Sequence, residues 1–409
     1  MTLSKYNEVL IKQKHMPMGF LAVWLMVITT IQWIMLDMYL PALPVLVKEF
    51  GVTEGELNVS LNAGIICAAV ATIIGGTLSD RFGRKSVMIA GMVLGIFGNV
   101  CCALSNGVFM LSVMRGVSGF GSGVVDTVAA AMMKDSFTGK RFQRNMTILQ
   151  AVACVGPIFG PVLGSFLINM GSWRLIFYFL AAATAVSMVP ILISTETLPP
   201  ENRFSNRFSD VLKEAAHIAR TPAFSLFLGI IAFLTIPIWA YVAVSSYIFI
   251  EDFGLDNTAY GVYYAVGTLF SVVAPFIYLA LAKKMNSRMI VRITLVLMLA
   301  SGIMLLTIGE INPVMLILSV VPMYFSEGII RPLGLVILLE EYSYVAGSAS
   351  ALMQFTVNIV GAIGTALATL GWHSLIHGTS VITLGFVALA ALCWAVICAK
   401  GYLKNRLDK

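Results

Sequence analysis

Long apolar runs recur through the chain, and they constrain its fold more than any other feature. There are about twelve such runs, separated by short polar stretches, and roughly 20 apolar residues suffice for a helix to cross a bilayer. Only 11% of the residues are charged, against about 25% in a typical soluble domain. The sequence therefore predicts an all-α membrane protein with twelve transmembrane helices. The predicted spans are 18–47, 56–78, 86–105, 108–133, 144–169, 174–195, 223–250, 258–282, 288–308, 313–339, 346–371 and 379–400.

Lysine and arginine lie mostly on one side of these spans. Of the 26 basic residues, 22 lie in the N-terminal segment, in the loops after even-numbered spans and the span ends beside them, or at the C-terminal end, and only Lys48 and Arg174 lie on the opposite side. Because short cytoplasmic loops carry the excess of positive charge, we expect a multi-pass protein of the cell inner membrane with both termini in the cytoplasm.

The longest polar stretch divides the spans six from six. We expect an N-terminal six-helix half at 1–195, a cytoplasmic linker at 196–222 and a C-terminal six-helix half at 223–409. Part of the linker, near 210–220, has the composition of an amphipathic helix on the membrane surface. The short basic loops after spans 2 and 8 form a faint internal repeat, a pattern typical of secondary transporters.

The segment between spans 2 and 3 reads Gly-Gly-Thr-Leu-Ser-Asp-Arg-Phe-Gly-Arg-Lys from Gly75 to Lys85. An acid, a glycine that permits a tight turn and three basic residues indicate a charge-based latch between helix ends; the alternative is a loop that only sets topology. The string resembles the signature between helices 2 and 3 of the major facilitator superfamily, which implies the major facilitator fold of two pseudo-symmetric six-helix halves. The gating residues that this resemblance implies are Gly76, Asp80, Arg81, Gly83, Arg84 and Lys85.

Span 5 contains Gly-Pro-Ile-Phe-Gly-Pro-Val-Leu-Gly at 156–164. Its glycines recur every four residues, so one helix face lacks side chains and a partner helix can pack closely. Two prolines loosen the same helix, which favours a hinge or seal over an ordinary tight contact. The string resembles the antiporter motif of drug:proton exporters. Its candidate gating residues are Gly156, Pro157, Gly160, Pro161 and Gly164.

Two charges lie inside span 4, Arg115 and Asp126. Charges within a span are costly and usually functional. Gly119 and Ser122 share their helical face, which is polar and small, as a cavity lining would be. Arg115 resembles the superfamily arginine linked to proton coupling, although Ser118 stands where glutamine is commonest. We leave two interpretations of Asp126 open, a proton carrier in the cavity or an acid of the cytoplasmic vestibule.

Span 1 contains Asp-Met-Tyr-Leu-Pro-Ala-Leu-Pro from Asp37 to Pro44. A carboxylate among apolar neighbours loses the solvation of its charged form, which suits reversible proton binding. This string resembles the signature of the Bcr/CflA (bicyclomycin/chloramphenicol resistance) subfamily of drug:proton antiporters, as do Thr-Glu-Thr-Leu-Pro-Pro at 195–200 and Ala-Gly-Ser-Ala-Ser-Ala at 346–351. From the placement of these acids within predicted spans we expect proton coupling through Asp37, with Asp126 as its rival or partner.

The predicted C-terminal half contributes further polar and aromatic candidates. Glu327 and Arg331 are four residues apart and can pair across one turn, either as a structural pair or in a substrate or coupling role. Gln354 and Asn358 share a face of span 11. The candidate substrate-binding residues are Asp37, Tyr39, Asp126, Trp239, Tyr241, Tyr263, Glu327, Arg331, Gln354 and Asn358.

The sequence contains no nucleotide-binding loop or catalytic motif, so we expect a transporter driven by an ion gradient and not an enzyme. His373 and His377 have metal-compatible spacing but no acidic or cysteine company; we expect no metal, no cofactor and no nucleic-acid partner. The expected function is proton-coupled export of small, largely apolar compounds, drugs included, by a functional monomer that alternates its access across the lipid bilayer. The alternative is a proton-coupled transporter of one specific metabolite, such as a sugar, an amino acid or a siderophore.

Overall fold

The computed structural model describes residues 13–14, 16–153, 156–199, 201, 203, 217–341, 346–403 and 407. Within this part of the chain the regular secondary structure is helical. The α-helices are α1 (Met18–Asp37), α2 (Leu43–Phe50), α3 (Glu54–Phe82), α4 (Arg84–Ala103), α5 (Val108–Ser136), α6 (Gly139–Ala153), α7 (Gly156–Asn169), α8 (Arg174–Ile193), α9 (Pro222–Tyr247), α10 (Asn257–Leu281), α11 (Ser287–Thr307), α12 (Pro313–Glu341), α13 (Ala346–Ala368) and α14 (Leu375–Lys400).

The helices correspond to the predicted spans. Among the described residues, 10 helical segments are long and apolar enough to cross a membrane, and two shorter apolar helices, Gly156–Asn169 and Leu352–Ala368, account for the remaining spans. The predicted all-α membrane fold is therefore confirmed. Residues 154–155, between α6 and α7, and 204–216 of the predicted linker, including most of its expected amphipathic helix, lie outside the described residues.

The first span is interrupted by a tight turn near one end. Helix α1 ends at Asp37, a 3-10 turn covers Leu40–Ala42, and α2 begins at Leu43. Pro41 lies in the turn and Pro44 in the first turn of α2. Because proline has no backbone N–H to donate, the hydrogen-bond pattern of α1 is not carried through this segment.

Contacts divide the chain into two compact units. Unit 1 comprises Met1–Tyr39 and Ala63–Phe208, and unit 2 comprises Leu40–Asn62 and Ser209–Lys409. The segment Leu40–Asn62 thus packs with C-terminal residues, although both of its ends continue into unit 1. The predicted halves at 1–195 and 223–409 follow the chain order instead, and they stay a prediction.

Close contact between α4 and α5 organises unit 1. A Cβ atom on Gly98 would lie 2.6 Å from the Ser118 backbone nitrogen, and one on Gly121 would lie 2.6 Å from the Gly95 backbone nitrogen. Around this contact, apolar side chains such as Leu25 of α1 form a buried cluster with residues of α4 and α5. Small residues let helix backbones approach closely in a membrane, and here they bring α5, with its internal charges, against the core of unit 1.

The contact between α4 and α5 generates a test of stability. Gly98→Ala should lower the apparent Tm of the purified protein in detergent, because the added methyl group overlaps Ser118 and overpacking costs about 1–3 kcal/mol. Gly95→Ala is the matched control, since nothing lies within 4 Å of its Cβ position and alanine favours a helix by about 1 kcal/mol over glycine. Equal effects of the two substitutions would contradict the importance of this contact.

Candidate functional site

Asp37 lies at the C-terminal end of α1, where a glycine of α7 packs directly against it. A Cβ atom on Gly160 would lie 3.1 Å from the Asp37 Cβ atom and 3.2 Å from the Met38 backbone nitrogen. The Asp37 side chain is half-buried. Any side chain larger than glycine at position 160 would therefore press on the backbone that carries this carboxylate.

Arg115 supplies the positive charge that acts on Asp37. Its side chain is 1% exposed, its guanidinium carbon lies 4.8 Å from the centre of the Tyr39 ring, and it interacts electrostatically with the Asp37 carboxylate. Its Nε and Nη2 atoms have no hydrogen-bond partner among the described residues. A buried guanidinium is costly unless its donors are satisfied, so the arrangement suits a further acceptor, such as water or a polar group of a ligand.

Asp126 is linked to the same stretch of α1 through Trp33. The Trp33 side chain hydrogen-bonds to the Asp126 carboxylate, and Trp33 lies one helical turn before Asp37. A Cβ atom on Gly156 would lie 2.8 Å from the Trp33 Cβ atom. The glycine face of α7 therefore packs on the face of α1 that carries Trp33 and Asp37.

The Gly-Pro motif of span 5 thus packs against α1. Gly164 and Pro161 are buried and Pro157 is half-buried, and Pro161 lies inside α7. Sequence reasoning predicted the close contact but identified neither α1 as the partner nor Trp33 as a site residue. The signal that was available is the spacing of four residues between Trp33 and Asp37, which matches the glycine spacing in α7.

Arg84 holds three helix ends together at the start of α4. Its side chain is 9% exposed and pairs with Asp80 at 2.6 Å and with Asp135 at 2.8 Å, and it donates to the Ser79 hydroxyl at 2.7 Å. These partners belong to the end of α3 and the end of α5. The structure therefore contains an ion-pair network at the segment for which sequence predicted a latch, and Asp135 is a member that sequence reasoning missed.

A second missed residue, Glu196, caps the N-terminus of α4. Its carboxylate accepts from the backbone N–H groups of Arg84 at 2.9 Å and Lys85 at 3.2 Å, where the helix dipole favours negative charge. Gly83 has φ +94°, and a Cβ atom there would lie 2.6 Å from a Glu196 oxygen, so the position requires glycine. Lys85 Nζ donates to the Leu192 and Ser194 carbonyl oxygens at 2.6 and 2.8 Å.

Arg81 and Gly76, which the sequence assigns to the same charge-based latch, make other contacts. The Arg81 guanidinium carbon lies 5.3 Å from the centre of the Phe82 ring, and Arg81 is exposed. A Cβ atom on Gly76 would meet the Thr127 methyl group at 3.5 Å. Gly76 is thus a packing position between α3 and α5.

In unit 2, Glu327 and Arg331 form the expected ion pair at 3.0 Å. Tyr241 is buried and meets the Tyr324 ring edge-on, with ring centres 6.3 Å apart. Tyr241 lies on α9 and Tyr324 on α12, three residues before Glu327, so the contact between the two rings lies about one turn from the ion pair.

The other candidates of unit 2 have neighbours of their own. The Trp239 ring covers Gly361 of α13, where a Cβ atom would lie 3.0 Å from the indole. The Tyr263 ring stacks on Phe249 with centres 5.5 Å apart. Gln354 donates to Asn358 at 3.4 Å.

His373 and His377 both lie close enough to Glu310 to interact with it electrostatically. His377 Nδ1 lies 2.9 Å from Glu310 Oε1. Hydrogen bonds from Ser374 and His377 hold the pKa of the Glu310 carboxyl below its usual range. Among the described residues no group of three or more histidine, cysteine or acidic side chains is placed to hold a metal ion.

A bundle of membrane-length helices with charges buried between them defines a polytopic membrane transporter. Residues 25–365 match the Major Facilitator Superfamily. The chain belongs to this superfamily, and it is accordingly a multi-pass membrane transporter of small molecules and not an enzyme.

Individual relatives are distant. The chain is 22% identical over 379 residues to the uncharacterized MFS-type transporter YdgK of Bacillus subtilis (strain 168), covering 91% of this chain and 93% of that protein. It is 27% identical over 275 residues to the multidrug resistance protein MdtL of Klebsiella pneumoniae (strain 342), covering 66% of this chain and 68% of that protein.

Solved structures share the fold. A D-xylose-proton symporter superposes with a TM-score of 0.71 at 14% identity, covering 92% of this chain and 97% of that chain. A peptide transporter POT in complex with sulfate superposes with a TM-score of 0.74 at 15% identity, covering 96% and 100%. At these identities the likeness establishes the fold alone.

The cap on α4 yields a prediction. Glu196→Ala should lower the apparent Tm in detergent, because it leaves the Arg84 and Lys85 N–H groups without their acceptor, and losing a capping side chain costs about 0.5–2 kcal/mol. Glu201→Ala, a change of the same kind at an exposed position five residues later, is the control and should leave the Tm unchanged. Indistinguishable Tm values for the two variants would show that the cap does not stabilise the protein.

Proposed function

We propose that this transporter exports small, largely apolar compounds, drugs included, in exchange for protons. The observation that carries the proposal is a half-buried carboxylate inside a predicted membrane span, Asp37, which interacts with the buried Arg115. Intramembrane carboxylates commonly carry protons in transporters. Similarity to MdtL, a multidrug resistance protein, and the Asp37–Pro44 string support the export of drugs and a place in the Bcr/CflA subfamily.

In the proposed exchange, Asp37 binds either a proton or a cationic or polar group of the substrate. A proton and a cation compete for one carboxylate because each neutralises its charge. Arg115 interacts electrostatically with the same carboxylate, and in this proposal it tunes the exchange. Asp126, held by Trp33, is the rival or partner for the same proton.

The glycines of α7 bring the contact between α7 and α1 next to the Asp37 carboxylate and to Trp33, which binds Asp126. Because Gly156 and Gly160 pack on Trp33 and Asp37, movement of α7 along α1 would displace both the carboxylate and the hydrogen bond to Asp126. In this proposal the span 5 motif acts as a hinge or seal through α1. The cycle alternates access between the two sides of the membrane, in a monomer of the inner membrane with both termini in the cytoplasm.

A second candidate function is proton-coupled transport of one specific charged metabolite. Two observations favour it: the Glu327–Arg331 pair, and the Nε and Nη2 atoms of Arg115, which have no partner among the described residues. Both suit a substrate with an acidic group, whereas an apolar drug needs neither.

The experiment is a substrate panel on purified protein in liposomes with an imposed pH gradient. It includes apolar cations, neutral drugs, sugars and amino acids. We expect transport of apolar compounds that follows the proton gradient and collapses with a protonophore. Selective transport of one charged metabolite would favour the second candidate, and transport that ignores the protonophore would exclude proton coupling.

Matched substitutions of Asp37 and Asp126 test which of the two carboxylates carries the proton. Asp37→Asn, which mimics a permanently protonated side chain, should reduce proton-driven transport to the level of protein-free liposomes and leave the binding of neutral substrates intact. Asp126→Asn should retain coupling for neutral substrates and weaken transport of cationic ones. The measurement is substrate-induced proton release from the protein in detergent. Release that persists in Asp37→Asn and disappears in Asp126→Asn would reverse the two roles.

A further inference from the structure

The Tyr39 ring contacts both the buried guanidinium of Arg115 and an aromatic ring of α8. The Arg115 guanidinium carbon lies over the Tyr39 ring, 4.8 Å from its centre, and the centre of the Phe177 ring lies 5.6 Å from the same point. Tyr39 itself is 0% exposed. We infer that Tyr39 is a positioning residue: it holds the Arg115 guanidinium where it acts on Asp37 without direct contact with that carboxylate.

The contact with Tyr39 stabilises a guanidinium whose hydrogen bonds are incomplete. The Nε and Nη2 atoms of Arg115 have no hydrogen-bond partner among the described residues. A cation within about 6 Å of a ring centre is attracted by the negative face of the ring, and the attraction strengthens when both groups are removed from water. Both residues are almost wholly buried, so the position of the guanidinium depends on the position of the ring.

Aromatic packing at the start of α8 fixes the Tyr39 ring. Phe177, which is fully buried, meets Trp173 edge-on with ring centres 5.9 Å apart. The Arg174 guanidinium carbon lies 4.3 Å from the centre of the Trp173 ring, and the same guanidinium donates to the Ser105 carbonyl oxygen at 3.3 Å. Close-packed rings leave a neighbouring side chain few alternative positions. Tyr39 is therefore anchored from α8, independently of Arg115.

Arg115 acts on Asp37 without pairing with it. The guanidinium interacts electrostatically with the carboxylate, but no hydrogen bond or ion pair between these two side chains is present among the described residues. In direct contact, arginine and a carboxylate form a strong pair with two parallel hydrogen bonds, and that pair would compete with a proton or a cationic group for Asp37. By holding the guanidinium over its ring, Tyr39 keeps the carboxylate available for the proton exchange proposed above, on which this role rests.

Arg115 is the charged residue, among those described, that acts on the Asp37 carboxylate. Helix α7, which packs on Asp37 through Gly160, has no titratable side chain. Asp126 of α5 binds Trp33, one turn earlier on α1. A change in the titration of Asp37 therefore reports a change in the position of the Arg115 guanidinium.

Infrared titration of the full-length protein in lipid nanodiscs tests this role without a transported compound. The carbonyl stretch of a protonated carboxyl group, assigned by its loss in Asp37→Asn, follows the charge of Asp37 as the pH is changed. Tyr39→Leu removes the ring and releases the guanidinium, so the titration midpoint should move by about 1–3 pH units, the effect of a nearby charge on a carboxylate. Tyr39→Phe is the matched control: it keeps the ring, loses only the hydroxyl and should retain the midpoint of the unmodified protein.

A double substitution tests whether Tyr39 acts through Arg115. Arg115→Met removes the charge, and adding Tyr39→Leu to it should leave the midpoint of the Asp37 titration where Arg115→Met alone puts it. An unmoved midpoint in Tyr39→Leu, an equal shift in Tyr39→Phe, or a shift that persists without Arg115 would overturn the positioning role, as would the absence of any carboxyl band that depends on Asp37. If Tyr39→Leu does not fold, Tyr39→Met takes its place, because methionine also lacks the ring and adapts to irregular space.

Proton-driven transport of tetraphenylphosphonium, an apolar cation, is measured in parallel in liposomes. Its absence from the unmodified protein would contradict the proposed exchange of protons for apolar cations, whereas the infrared titration reports on Tyr39 alone. Because Tyr39 is covered by protein, Tyr39→Leu should lower the maximal rate of this transport and leave its KM unchanged. A raised KM at an unchanged maximal rate would instead indicate contact with the substrate and overturn the positioning role.

Discussion

Close contact between helix backbones at glycine is the interaction on which the rest of this structure depends. In a bilayer each helix satisfies its own backbone hydrogen bonds, and apolar side chains gain little by leaving lipid for protein. Helices are then held by van der Waals packing, which is strongest where small residues let backbones meet. Gly98 against Ser118 and Gly160 against Asp37 are such contacts, and the second carries the proposed proton site itself.

Two sets of charged residues in unit 1 differ in how completely they are paired. Arg84, Asp80 and Asp135 lie at helix ends and satisfy one another, so they stabilise the ends of α3, α4 and α5. Arg115 lies inside α5 and acts on Asp37 at the end of α1, and Arg115 keeps unpartnered nitrogen atoms among the described residues. Charges that are fully paired with one another stabilise the structure. A buried charge whose N–H groups lack partners can instead bind different acceptors at different times.

The sequence predicted the spans to within a few residues, because the length of an apolar run is a local property and the bilayer sets its scale. It also predicted the Glu327–Arg331 pair, since four residues on a helix make neighbours. Asp135 and Glu196 were missed because they lie 51 and 112 residues from Arg84 along the chain, and nothing local marks an acid as the partner of a distant helix end.

The hydrogen bond between Asn58 and Thr365 could not be predicted from the sequence for a related reason. Asparagine and threonine are unremarkable near the end of a span, and Asn58 meets Thr365 only through packing across 307 residues. The broken first span was partly visible, because Pro41 and Pro44 stand in the string that drew attention to Asp37. These prolines predict a break near the outer end of the span, and the structure has a 3-10 turn at Leu40–Ala42 followed by α2.

The position of Asp37 relates proton binding to movement in the proposed cycle. It is the last residue of α1, and two residues later the chain leaves unit 1 for the segment that bears Asn58 and Asn62. Helix α1 thus ends where the chain passes from one unit to the other, and the missing N–H groups of Pro41 and Pro44 leave the intervening turn with fewer backbone hydrogen bonds to break. A change in the charge of Asp37 alters its attraction to Arg115 in unit 1, and Asp37 is followed directly by this turn. The carboxylate proposed to load the proton is therefore adjacent in the chain to a segment, Leu40–Asn62, that packs within the other unit.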